Sequence, residues 1–251
     1  MPEQGGVSPN VENMDALRKR LVIVPAFNEE NSIGQVVEDI LGSGLGLDVV
    51  VIDDGSQDRT GEIARTHGAR VIKLPFNLGI GGAVQTGLKF AFRHGYDVAI
   101  QIDGDGQHVP SEIPHLLTPL LRREADVTIG SRYLGAHHYR TPFMRRLGMI
   151  VISAVNSLLI GQRITDNTSG FRAFNRRAIE FLSNHYPIDY PEPEAVVILG
   201  RNGFRLKESA VKMRQRLAGE SSINSLGAVY YMVKVLLAIL IDVFKTYPKA
   251  G

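Results

Sequence analysis

The residues with the most chemistry to offer stand at Asp103-Gly-Asp105-Gly-Gln107-His108. Two carboxylates one residue apart, interleaved with glycines, follow directly on an apolar run, Val98-Ala-Ile-Gln-Ile102. Such a run reads as a buried strand, and a strand end is a rigid platform from which a short turn can aim both carboxylates at one point. Hard divalent cations such as Mg²⁺ and Mn²⁺ take carboxylate oxygens together with the oxygens of a diphosphate. Gln107 adds a carbonyl oxygen to the candidate ligand set and His108 an imidazole. The competing reading is a solvated turn, because Asp and Gly are turn residues. A motif this short does not decide between the two by itself.

The elements around it do. Short β-rich runs at Leu21–Phe27, Leu47–Asp53, Arg70–Leu74, Val98–Ile102 and Ala125–Gly130 alternate with segments of helical spacing, among them Ile33, Val36, Val37 and Ile40. That alternation predicts an α/β fold with a doubly wound, mostly parallel sheet. Such sheets bind ligands beyond the carboxyl ends of their strands. Asn28-Glu29, Asp53-Asp54 and Asp103/Asp105 all fall at those ends. Beyond residue 131 the pattern changes. Phe143–Ile160 reads as an apolar helix, Arg176–Asn184 and Ala195–Arg201 as further helices, and Gly203–Met213 as a last strand. The glycines at 79, 81 and 82 do not make a dinucleotide fingerprint, since they follow the third strand and lack its spacing.

Composition narrows the function. The 251 residues fit one large domain with an appendage, divided here as a leader over 1–19, a main domain over 20–222 and an apolar helix over 223–251. A net charge of +2 gives no footprint for nucleic acid, and the absence of cysteine excludes a disulfide scaffold and cysteine-ligated zinc. The N-terminus carries no signal-peptide pattern, so the cytosol is the expected compartment. The tail from Leu226 to Phe244 is nearly all apolar but has Lys234 near its middle. A central lysine makes a membrane span costly. An interfacial helix fits better, with Tyr230, Tyr231 and Tyr247 as amphipathic anchors and Lys234, Lys245 and Lys249 as basic ones. The alternative is a helix packed on its own domain or on a second subunit.

Six motifs occur in order: Val24-Pro-Ala-Phe-Asn28-Glu29, Asp53-Asp54-Gly55-Ser56-Gln57-Asp58, Asn77-Leu-Gly79, Asp103-Gly-Asp105-Gly-Gln107-His108, Gly130-Ser-Arg132-Tyr133 and Thr168-Ser-Gly-Phe-Arg172. This ordered set resembles the family 2 glycosyltransferases, in the branch that contains dolichol-phosphate mannose synthase and the bacterial polyprenyl-phosphate glycosyltransferases. The resemblance implies a GT-A fold with a C-terminal apolar helical extension, a nucleotide-sugar donor, Mn²⁺ or Mg²⁺, and inversion at the anomeric carbon. It implies metal ligation by Asp103, Asp105 and Gln107, with Asp105 the direct ligand. It places Pro25, Ala26, Asn28, Glu29, Asp53, Asp54, Asn77 and Gly79 around the nucleotide. Arg132 and Arg216 are the implied phosphate partners, Arg216 in a loop resembling the family's Arg-x-x-Gly-x-Ser. An acceptor hydroxyl needs a general base and an acceptor phosphate needs little or none; Glu194 and Asp166 are the candidates. Their bland readings are a helix first-turn charge and a turn carboxylate.

The expected activity is therefore transfer of a sugar to a lipid-linked acceptor, polyprenyl phosphate first and a glycan hydroxyl second. The expected setting is peripheral, on the cytosolic face of the membrane, with a homo-oligomer or a small membrane partner left open. A non-catalytic nucleotide-sugar-binding subunit is the rival outside enzymes, and the intact carboxylate pair speaks against it. A nucleotidyltransferase would carry a basic glycine-rich loop after the first strand, where this chain has Pro25-Ala-Phe-Asn-Glu29.

Overall fold

The computed structural model describes residues 19–134, 143–214 and 225–245. Seven strands form one sheet: β1 (Arg20–Ala26), β2 (Asp48–Asp53), β3 (Arg70–Lys73), β4 (Val98–Gln101), β5 (Val127–Ser131), β6 (Arg172–Asn175) and β7 (Leu206–Ala210), in the order β3-β2-β1-β4-β6-β5-β7. All neighbours are parallel except β6, which runs antiparallel to both β4 and β5.

Side chains alternate across the strands, so the apolar runs feed two cores at once. Leu21 and Ile23 of β1 and Val50 and Ile52 of β2 point to one face. There they meet Val84 and Leu88 of α3 (Gly79–Arg93), Ile179 and Leu182 of α6 (Arg176–His185), and Val196 and Leu199 of α7 (Pro191–Arg201). Val22, Val24, Val49 and Val51 point to the other. Their partners are Val36, Val37 and Ile40 of α1 (Ile33–Leu41), Ala64 of α2 (Thr60–Thr66), and Leu116, Leu117 and Leu120 of α4 (Ile113–Leu121). Each such fully buried Val, Leu or Ile is worth about 1.5–3 kcal/mol of transfer free energy.

Two boundaries differ from the sequence reading, each for a local reason. Pro191-Glu-Pro-Glu194 is itself the first turn of α7, since proline is preorganised for the first helical position. The last strand stops at Ala210. Beyond it the chain turns to the carboxylate loop, where Met213 bridges to His108 and Arg214 N–H donates to the Gln107 carbonyl at 2.8 Å.

Helices α5 (Phe143–Ile160) and α8 (Ser225–Phe244) form a third, smaller layer with α7, centred on Ile152, Val197, Val235 and Ile239. Both helices also keep large apolar side chains exposed: Ile150, Val151 and Leu158 on α5, and Leu237, Leu240, Ile241 and Phe244 on α8. Among the described residues no helix is long and apolar enough to cross a membrane. The leader through residue 18, the His137/His138 loop, the Arg216 loop, Tyr247 and Lys249 lie outside the described residues, as do the side chains of Tyr230 and Tyr231.

Candidate active site

A cleft of about 370 Å³ opens beyond the carboxyl ends of β2, β1 and β4. Its walls carry Pro25, Ala26, Phe27 and Glu29 from the end of β1, Asp54, Asn77, Gly79, Ile80 and Ala83 from the β2 and β3 side, Asp103 and Asp105 from β4, and Glu192 from α7.

Hydrogen bonds between loops hold the β1 and β2 ends together. Asn28 adopts a left-handed φ of 55°, a conformation asparagine tolerates. Its N–H donates to Ser56 Oγ at 3.0 Å, and its Oδ1 accepts from Gln57 N–H at 3.0 Å. Glu29 N–H donates to Thr60 Oγ1 at 2.7 Å. Asp53 is buried, with Oδ1 accepting from Ser56 N–H at 2.9 Å and Oδ2 at 3.7 Å from Lys73 Nζ. Neither Asn28 nor Asp53 lines the cleft; their side chains brace the loops that do. Asp54 does line it, with Oδ1 accepting from Leu78 N–H at 2.8 Å. Burial pushes the Asp54 carboxyl up, the Leu78 and Gly79 amides oppose that, and the neighbouring Asp53 charge adds to the rise.

The carboxylate pair rests on residues distant in sequence. His108 Nδ1 accepts from Asp103 N–H at 3.0 Å, which leaves the ring proton on Nε2, 3.7 Å from Asp103 Oδ2. The His108 ring stacks on Phe171 at 4.8 Å between centroids. Gly170 lies so close that a Cβ there would come within 2.8 Å of Asp103 Oδ1, so no larger residue fits without moving the carboxylate. Asp105 Oδ1 accepts from Gln107 N–H at 3.0 Å. Gln107 is not among the residues that line the cleft; its main-chain N–H donates to Asp105 and its carbonyl accepts from Arg214 N–H. Arg214 itself pairs with Asp39 at 2.6 Å.

Among the described residues no three His, Asp or Glu side chains converge as a closed metal cage. Two neighbouring carboxylates in the wall of a polar cleft fit a hard cation that takes its remaining oxygens from a bound diphosphate.

Arg132 and Asp166 form a forked ion pair. Arg132 Nε and main-chain N–H donate to Asp166 Oδ2 at 2.8 and 3.0 Å, and Nη2 donates to Oδ1 at 2.7 Å and to Thr168 Oγ1 at 2.8 Å. Asp166 is buried, and its N–H donates to Glu208 Oε1 at 2.7 Å. This carboxylate orients Arg132. Of the two glutamates of α7, Glu192 lines the cleft and Glu194 is buried within the first turn. Two residues apart on a helix, they point to nearly opposite sides. Burial pushes the Glu192 carboxyl up, the Arg172 guanidinium opposes it, and Asp103 adds to the rise.

The cleft thus gathers Pro25, Ala26, Glu29, Asp54, Asn77, Gly79, Asp103 and Asp105 from the sequence candidates. It adds Phe27, Ile80, Ala83 and Glu192. Phe27, exposed just after a buried strand, was the readable sign among these. Arg216 lies outside the described residues.

A match to the family described as "Glycosyl transferase family 2" covers residues 21–182, which takes in β1 through β6 and both carboxylates. The chain belongs to glycosyltransferase family 2. Its relatives within the family include the UDP-N-acetylglucosamine--dolichyl-phosphate N-acetylglucosaminyltransferase of Methanococcus voltae, 31% identical over 211 residues, covering 76% of this chain and 84% of that one. The polyprenol monophosphomannose synthase of Mycolicibacterium smegmatis is 29% identical over 234 residues, 87% of this chain and 86% of that one. Among solved structures, the glucosyl-3-phosphoglycerate synthase of Mycobacterium tuberculosis in complex with Mn²⁺, UDP and glucosyl-3-phosphoglycerate superposes with a TM-score of 0.67 at 23% identity, over 97% of this chain and 86% of that one. The glycosyltransferase fold is thereby shared.

Proposed function

We propose that this glycosyltransferase moves a sugar from a nucleoside diphosphate donor to polyprenyl phosphate at a membrane surface, using Mn²⁺ or Mg²⁺. The observation that carries the reading is the placement of Asp103 and Asp105 together in the wall of a cleft whose other residues suit a nucleoside. A divalent ion there would neutralise charge on the departing diphosphate. Asp105 and Asp103 would hold it, while Pro25, Ala26, Glu29, Asp54, Asn77 and Gly79 hold the nucleotide.

The phosphate acceptor is favoured by how the two candidate bases of the sequence, Asp166 and Glu194, are used. Asp166 is occupied by Arg132, and Glu194 is buried away from the cleft. An acceptor phosphate is already ionised and needs no strong base. Arg132, held flat by its fork, is suited to bind that phosphate, with Arg216 as its partner. The relatives named for dolichyl-phosphate and polyprenol substrates point the same way. The exposed apolar side chains of α5 and α8 would bring the enzyme to the cytosolic face of the lipid surface that carries such an acceptor.

The test is product formation from a panel of radiolabelled nucleotide sugars with Mn²⁺ and membranes that contain polyprenyl phosphate. Label in an acid-labile, single-sugar lipid is the expected result. Label appearing only when a pre-glycosylated lipid is supplied would move the acceptor to a hydroxyl.

A further inference from the structure

The cleft has a direction. Along the sheet its lining residues come first from the β2 and β3 side, with Asp54 and Asn77, then from the end of β1, then from the Asp103/Asp105 turn after β4, and last from Glu192 beside β6. The β2 and β3 side supplies Asp54 and Asn77, and the apolar Phe27, Ile80 and Ala83 share the cleft with them, as a flat base and a ribose require. The far end presents a carboxylate. A diphosphate held at Asp103 and Asp105 would leave the nucleoside on the Asp54 and Asn77 side and the sugar on the Glu192 side.

We propose that Glu192 is the residue that reads the donor sugar, accepting hydrogen bonds from its hydroxyl groups. The inference rests on the nucleotide-sugar reading of the cleft and goes beyond it, by assigning the sugar end and the group that fixes specificity there. A carboxylate has about four acceptor positions and no competing donor when ionised, which suits the vicinal hydroxyls of a hexose.

The surroundings of Glu192 keep it in one place. Pro191 and Pro193 flank it in the first turn of α7 and restrict the main chain on both sides. Its carbonyl accepts from Arg172 Nη2 at 2.9 Å. Arg172 is fully buried, and it also donates to the carbonyls of Ser169 at 2.8 Å and Asn167 at 2.9 Å. Its Nη1 is buried with no hydrogen-bond partner, and its charge favours the ionised form of Glu192. The same turn carries Gly170 against Asp103, so β6 fixes Glu192 and Asp103 relative to each other. A group that discriminates between sugars needs this rigidity, because a misplaced acceptor leaves hydroxyls unpaired.

The experiment is titration calorimetry on the full chain with Mn²⁺, using UDP, UDP-glucose, GDP and GDP-mannose against the wild type, Glu192→Gln and Glu192→Ala. For the nucleotide that the wild type binds, the ratio of the nucleotide-sugar Kd to the nucleoside diphosphate Kd should rise about tenfold in Glu192→Ala, with the diphosphate itself unchanged within about twofold. Glu192→Gln, which keeps an acceptor oxygen and the shape, should fall between them and serves if the alanine variant does not fold. Equal weakening of diphosphate and nucleotide sugar, or no change in either, would overturn the assignment. A wild type that binds none of the four would overturn the donor reading itself and the assignment with it.

Discussion

Arg132 and Asp166 show how much of a functional residue's behaviour is set by its partner. With Asp166 only 1% exposed, removing the guanidinium strands a buried carboxylate. Arg132→Ala is therefore expected to lower stability by roughly 3–5 kcal/mol in urea unfolding, in addition to any loss of activity. Asp166→Asn should raise the acceptor KM far more than it lowers kcat, because the carboxylate aims Arg132; a kcat collapse with normal KM would instead make it the base. Asp105→Ala should cost at least about a thousandfold in turnover, with a modest fall in the thermal midpoint because the buried carboxylate accepts from Gln107 N–H. Full turnover of that variant with EDTA present would remove the metal from the mechanism. Asp103 and Asp105 were readable in the sequence because the motif is local, two acids and two glycines after a strand. The Arg132–Asp166 fork spans 34 residues and had no local sign, so Asp166 read as a candidate base. That the sequence singled out Glu194 while Glu192 lines the cleft had a similar cause. Two positions of one helical turn face nearly opposite ways, and only the packing of α7 tells which one meets the cleft.

At the scale of elements, the strands were readable because their apolar runs are short, β-rich and bounded by turn residues. The direction of β6 was not, because strand sense depends on where the chain has to return. The β6 segment Arg172–Asn175 is only four residues, and it reaches its place between β4 and β5 antiparallel to both. One contact below the sheet carries a pH prediction. Tyr96 OH donates to Asp48 Oδ2 at 2.8 Å, tying the segment before β4 to the start of β2. Burial, with Asp48 adding to it, pushes the phenol up to about 12 from the usual 10. The folded state thus holds this proton more tightly than the unfolded chain does. The stabilisation is complete below about pH 10 and is lost as the pH rises toward 12. Urea midpoints measured between pH 9 and 11.5 should fall, and Tyr96→Phe should remove part of the slope.

For the whole molecule, α8 separates two jobs by face. Val235 and Ile239 are buried against Ile152 and Val197, while Leu237, Leu240, Ile241 and Phe244 are exposed. Val235→Asp should destabilise the protein, and a Leu240→Ser/Phe244→Ser double variant should leave the melting temperature within about 2 °C. If the exposed face meets lipid, that double variant should lose sedimentation with anionic vesicles while keeping nucleotide binding; unchanged sedimentation would put the apolar face against a protein instead. The late arrival of β6 also has a consequence on the ribosome. Strands β1 to β4 are complete by residue 101, yet the strand that covers the β4 edge begins at 172. At roughly 5–20 residues per second, that leaves β4 open for several seconds during synthesis. An uncovered central strand is a template for pairing with another chain. Asp103 stands directly beyond that open edge, and its close neighbour Gly170 is translated only at the end of the interval. The nascent chain therefore carries an unprotected edge through the period when it has no catalytic site. Ribosome stalling between residues 101 and 172 should expose it to holdase chaperones more than stalling at any later point.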